Sequence, residues 1–270
     1  MLCCCKTKIG GTLSLFSYIT SLFSNPKETI MFFLLAFPGR ILAISAHEFA
    51  HAWVADRCGD PTARYMGRLT LNPFKHLDLM GTLMMLLLGF GWAKPVPVNP
   101  RNYRNYRKDD LKVSLAGITA NLILFLFSFA LLALFLVLAL NEIRLPHGDS
   151  NYLYLLKNAP YVSEEVIALA YGRMAGYVYR MLAYFVQVNI VLAVFNLLPV
   201  PPLDGYHVVN DLLIRRSLFA SAATARKAMG VLFLLMVTGL LGRGLSFVVD
   251  LILGGVGSAA HLLLSMFGMV

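Results

Sequence analysis

The chain has 270 residues, 58% of them hydrophobic and only 14% charged, with a net charge of +9 and a mean hydropathy of +0.69. Soluble domains carry about 25% charged residues, so an ordinary water-soluble globule is excluded and a polytopic membrane protein is indicated. The basic residues fall in short stretches between apolar segments, as cytoplasmic loops do, which excludes nucleic acid as a partner and makes the lipid bilayer the first one.

Cys3, Cys4 and Cys5 stand beside Lys6 and Lys8 ahead of an apolar stretch. Adjacent cysteines cannot build a disulfide framework; they are unmodified juxtamembrane thiols or acylation sites. Residues 9–25 are apolar but broken by Ser, Thr and Gly, a marginal span or interfacial helix without a signal-peptidase site. Residues 31–56 are long enough for a full span. Residues 57–78 are polar, with Arg57, Arg64, Arg68 and Lys75. Residues 79–93 are apolar but too short to cross comfortably, and both flanks are basic, so a re-entrant, partly β-hairpin segment near 79–98 is expected. Residues 113–140 form a strong span. The loop 141–165 carries Glu142, Asp149, Glu164 and Glu165 and faces the opposite compartment, with Tyr152, Tyr154 and Tyr161 as an interfacial belt. A further span within 167–198 ends at prolines, which cannot continue a helix. Residues 231–241 and 245–269 pair as a final hairpin turning at Gly242-Arg243-Gly244. The fold class is all-α and polytopic, with about six transmembrane helices. It divides into an N-terminal segment (1–29), a catalytic core (30–215) and a C-terminal hairpin (216–270), with no room for an appended domain.

Chemistry concentrates at His47-Glu48-Phe49-Ala50-His51. A helix turns about 100° per residue, so His47 and His51 share a face one turn apart and can hold one zinc ion. Glu48 beside them can act as general base on water. Ionisable residues within a span are costly and mark function; the alternative is a buried ion-pair cluster. A catalytic zinc needs a third protein ligand. Asp56, Asp60 and His76 are close in sequence, but Asp56 suits a helix end. Asp204 is the better candidate: a carboxylate after Pro199, Pro201 and Pro202, at the end of an apolar span. Asn121 and Asn196 are amides within two spans, suited to holding substrate backbone or an oxyanion, or to bonding between helices. His207, one turn beyond Asp204, is an interfacial histidine or a support for the site.

These motifs, with Gly91-Trp92-Ala93-Lys94-Pro95-Val96-Pro97-Val98, Ser114-Leu115-Ala116-Gly117 and the run from Asn196 to Gly205, resemble the site-2 protease family of intramembrane zinc metalloproteases. Residues 59–63 and 67–73 are similar to its short prokaryotic branch without a PDZ domain. The resemblance runs from about residue 40 to 210. One departure is Asp78-Leu79, where that branch often has Asp-Pro. The resemblance implies a multi-pass protein of a prokaryotic cytoplasmic membrane, with one Zn2+ bound by His47, His51 and Asp204 and with Glu48 activating water. It also implies that Asn121 and Asn196 assist with substrate or oxyanion. The substrate would be a membrane protein, such as a single-span regulator, cut in or near its transmembrane segment. Val96 and Val98 could offer a strand edge to an unwound segment, or residues 91–98 form only a turn. The centre would lie within the bilayer, nearer the cytoplasm.

A metal-ion transporter is the competing class, since histidines and carboxylates in spans also line ion pathways; it would not need Glu48 beside the pair. A silent relative that only binds membrane proteins would not need the intact His-Glu-His-Asp set.

Overall fold

The computed structural model describes residue 20 and residues 23–88, 91–143, 149–214 and 222–268. The expectations for Cys3, Cys4 and Cys5 and for most of 9–25 fall outside these residues.

Helix α1 (Pro26–Cys58) begins with proline, whose missing N–H costs nothing in a first turn, and runs through Pro38. It stops at Gly59, whose φ of +109° suits only glycine. The Gly59 N–H reaches Asp56 O and the Asp60 N–H reaches Ala55 O, closing the last turn with a left-handed cap. A single turn, α2 (Thr62–Tyr65), and α3 (Leu79–Leu88) follow. Then come α4 (Tyr106–Ile143), α5 (Asp149–Lys157), α6 (Glu164–Tyr171), α7 (Arg173–Asn196), α8 (Asp204–Val209), α9 (Ala222–Val237) and α10 (Leu240–Met266).

The fold is all-α, and four helices, α1, α4, α7 and α10, are long and apolar enough to cross a membrane among the described residues. Of the about six expected, these four are seen among the described residues, where α9 has 16 residues. Among the described residues near 79–98 no β-hairpin is seen: the chain has the ten residues of α3 and a single antiparallel bridge between Leu77 and Ala93. Leu79–Leu88 lacks the β-branched alternation of a strand and carries Leu and Met, which favour a helix. The final turn also lies earlier than expected. Gly239, at φ +77°, takes the left-handed position before α10, and Gly242-Arg243-Gly244 lies inside that helix.

Helix α4 is central, packing on both α1 and α7, which also pack on each other. The main core lies between α4 and α7, with Phe125, Phe129, Leu132 and Leu136 of the first against Tyr179, Val186 and Ile190 of the second. Within the segment expected as a loop at 141–165, residues 152–162 are folded into this core. Tyr152 is buried, Leu156 of α5 and Ile167 of α6 are fully so, and the Tyr179 hydroxyl donates to Ala159 O at 2.8 Å. Burial of this kind gives a short amphipathic stretch the stability that its length alone does not. Residues 91–99 form no regular element beyond the bridge at Ala93, and Val96 packs against Ala52 in the C-terminal half of α1.

Candidate metal centre

His47 and His51 lie one turn apart on α1, and α8 brings Asp204 to both. The two Nε2 atoms are 3.0 Å apart, and Asp204 Oδ2 lies 3.2 Å from that of His47 and 3.3 Å from that of His51. Among the described residues this is the one group of three such side chains placed to hold a metal ion. Each ring is set by a bond at its other nitrogen: His51 Nδ1 lies 2.7 Å from Val113 O, and His47 Nδ1 lies 2.7 Å from Asn121 Oδ1. Both partners are acceptors, so each Nδ1 carries the proton and each Nε2 presents a lone pair. Two lone pairs and a buried carboxylate oxygen without a hydrogen-bond donor converge on one point. Such a set is repulsive by itself and matches zinc, which takes imidazole nitrogen and carboxylate oxygen.

Local sequence makes this approach possible. Gly117 of α4 faces the histidine pair, and a Cβ built there would lie 2.4 Å from His51 Nε2 and 2.5 Å from His47 Cε1. Gly205 plays the same part for Asp204: its Cβ would lie 2.3 Å from Leu197 C and O. The prolines after Asn196 end α7, and the chain folds back through residues 197–203 to deliver the carboxylate.

Glu48, beside the pair on α1, accepts the Val96 N–H at 2.8 Å through its Oε2, so the run 91–99 lies directly against the expected base. Val96 is buried and Val98 is exposed. The run is pinned on either side. The Lys94 N–H donates to His76 O at 2.8 Å. The buried Arg68 guanidinium donates to Lys94 O at 2.7 Å and to Pro95 O at 3.4 Å. Asp60 accepts the Asn99 N–H at 2.6 Å and the Asn102 amide at 2.8 Å. Burial pushes the Asp60 carboxyl up, but these donors and Thr62 outweigh it and hold the group below its ordinary value.

The nearer candidates for third ligand are occupied elsewhere. Asp56 pairs with Arg64, Asp60 holds the loop, and His76 Nε2 donates to Thr70 O. His207 lies 3.1 Å from Asp110 and not against the triad. Burial and Asp110 raise Asp211 to about 6. Asn121 is fully buried, and besides His47 its Nδ2 donates to Ala43 O at 3.2 Å and to Asn189 Oδ1 at 2.9 Å. It stands behind the metal ligand, with the bonds of its amide directed within the helix bundle. Asn196 Nδ2 donates to Leu192 O at 3.0 Å, within its own helix. Asn189, fully buried, was not singled out from the sequence; a third amide in an apolar span, two turns before Asn196, was the available signal.

A helix long and apolar enough to cross a membrane, carrying a metal-binding histidine pair completed by a carboxylate just beyond a second such helix, is the arrangement of a membrane-associated zinc protease. The chain belongs to peptidase family M50, the site-2 protease family, whose profile matches residues 32–237. It is 40% identical over 173 residues to YwhC of Bacillus subtilis (strain 168), which carries the name of a zinc metalloprotease; the match covers 64% of this chain and 66%, just under two thirds, of that relative. It is 26% identical over 242 residues to Rip2 of Mycolicibacterium smegmatis, named likewise, covering 88% of this chain and 78% of the relative. Rip2 of Mycobacterium tuberculosis (strain H37Rv) is 26% identical over 237 residues, with 86% and 75% covered. No solved structure matches the chain.

Proposed function

We propose that the protein hydrolyses peptide bonds in or near transmembrane segments of other membrane proteins, in the manner of regulated intramembrane proteolysis, with a single-span regulator as substrate. The observation that carries this reading is the contact between Glu48 and Val96, which sets main-chain groups outside any helix against the base. Zinc held by His47, His51 and Asp204 would supply a Lewis acid for the scissile carbonyl and for the attacking water. Glu48 takes the proton of that water and passes it to the leaving amine. A helical substrate hides its peptide bonds, so it must unwind before it is cut, and in a bilayer the freed N–H and C=O groups need new partners. The run around Val96 and Val98 supports strand addition as that partner. The Val96 N–H is held by Glu48 at rest, so a substrate carbonyl that pairs with Val96 competes with the base for one donor.

The basic loops support a centre nearer the cytoplasmic face of a prokaryotic cytoplasmic membrane. His47 lies eleven residues before the end of α1, about 16 Å along the helix at its usual rise.

The test is co-expression with tagged single-span proteins, comparing the parent with Glu48→Gln. The parent should release a fragment and the variant should not, while zinc content is unchanged. Equal release by both would overturn the assignment, and equal silence by both across a broad substrate panel would overturn the substrate class.

A further inference from the structure

We propose that Asn189 is a positioning residue of the metal centre, fixing the tautomer of His47 through Asn121. The inference rests on the metal reading of His47, His51 and Asp204.

The two histidines are held in the same tautomer by different means. His51 donates to Val113 O, a main-chain acceptor that no side-chain substitution removes. His47 depends on a side-chain amide, and an amide can present either its oxygen or its nitrogen. If Asn121 turned over, its nitrogen would face His47 Nδ1, the proton would move to Nε2, and the lone pair would point away from Asp204.

Three contacts prevent this. Ala43 O accepts one Asn121 N–H at 3.2 Å, near the outer limit of a good bond. Asn189 Oδ1 accepts the other at 2.9 Å. The direction of Asn189 is set in turn, because its Nδ2 donates to Phe185 O at 2.8 Å and that carbonyl can only accept. The order runs one way: Phe185 O orients Asn189, Asn189 orients Asn121, and Asn121 orients His47. Asn189 and Asn121 are fully buried and His47 is buried, so water does not replace a lost link between the amides, and an unmet buried amide is costly. The relay crosses α7, α4 and α1, whereas the His51 bond joins α1 and α4 alone.

The test reads the tautomers directly, without zinc or substrate. In metal-free protein with 15N-labelled histidine at alkaline pH, Nδ1 of both His47 and His51 should show the protonated, pyrrole-type nitrogen signal in the parent. In Asn189→Leu the His47 signal should move toward a tautomer mixture while the His51 signal stays. Zinc affinity, measured by competition with a chromophoric chelator, should fall about 10- to 100-fold, the usual effect of losing an outer-shell partner. Asn121→Leu with Asn189→Leu should bind zinc no more weakly than Asn121→Leu alone. An unmoved His47 signal in Asn189→Leu overturns the proposal. So does a shift of both rings, which would make Asn189 a general packing residue, and so do losses in the double variant that multiply. A failed substrate assay with these shifts intact would count against the proposed substrate and leave the relay standing.

Discussion

Gly117 is where α4 lies against both histidines, and Gly117→Ala tests the packing of the centre most directly. In an unconstrained helix interior, alanine is favoured over glycine by roughly 0.5–1 kcal/mol. Here the methyl would lie 2.4 Å from His51 Nε2, 2.5 Å from His47 Cε1 and 2.7 Å from His47 Nδ1. Non-bonded contacts are optimal at about 3.5–4.0 Å, so each distance falls short by roughly 1 Å. The rings cannot swing aside freely, because Val113 O and Asn121 hold them from behind. Overpacking of this kind costs about 1–3 kcal/mol. More important, metal sites tolerate displacements of only about 0.2 Å. The variant should insert and fold, hold well under one zinc per chain by elemental analysis, and cleave at least about 100-fold more slowly, the usual effect of a 1 Å misplacement. Gly254→Ala on α10, where an added Cβ meets nothing within 4 Å, should keep full zinc and full activity. Parent-like zinc content in Gly117→Ala would refute the close approach of α4 to the ligand pair.

Other substitutions probe the surroundings. Gly205→Ala should push α8 off the backbone of Leu197 and weaken zinc binding with little change in the far core, read by chelator competition and by thermal unfolding of the metal-free protein. Asp204→Ala should remove zinc outright; full zinc in that variant would remove Asp204 as a ligand. The Asp60 carboxyl has a folded-state pKa below its ordinary 3.8, so its stabilisation is complete above that value and is lost as pH falls through the lower one. Asp60→Asn should therefore flatten acid destabilisation below about pH 4, and an unchanged acid limb in detergent unfolding would count against the anchor. Arg68→Met keeps the apolar stem and frees two loop carbonyls. Loss of a charged hydrogen bond, about 1.5–3 kcal/mol, should lower kcat/KM by at least about tenfold with zinc retained, as measured in a reconstituted cleavage assay.

The metal centre was more legible than its setting. His47 and His51 share a face by helical geometry, and Asp204 stood out as a carboxylate stranded at the end of a proline-broken span. Asp56 already suited a helix end, but Asp60 and His76 were excluded only by contacts, since nothing in spacing shows that Asp60 meets Asn99 or that His76 meets Thr70. Residues 141–165 read as a loop because charge and tyrosine content mimic an interfacial segment; the burial of Tyr152, Leu156 and Ala159 depends on packing with α4, α7 and α10. Asn189 escaped notice because an amide among apolar residues says that a partner exists and does not say which. The contact between Glu48 and Val96 spans 48 positions and joins a helix to an irregular run, so no periodicity announces it.

The ligands are also far apart in time. Asp204 lies 153 positions after His51, about 8–30 s of synthesis at ordinary rates. During that interval the emerging chain carries two imidazoles and a glutamate but no complete centre. The metal centre is thus complete only after α7 has been made and the chain has turned back through residues 197–203 to place Asp204.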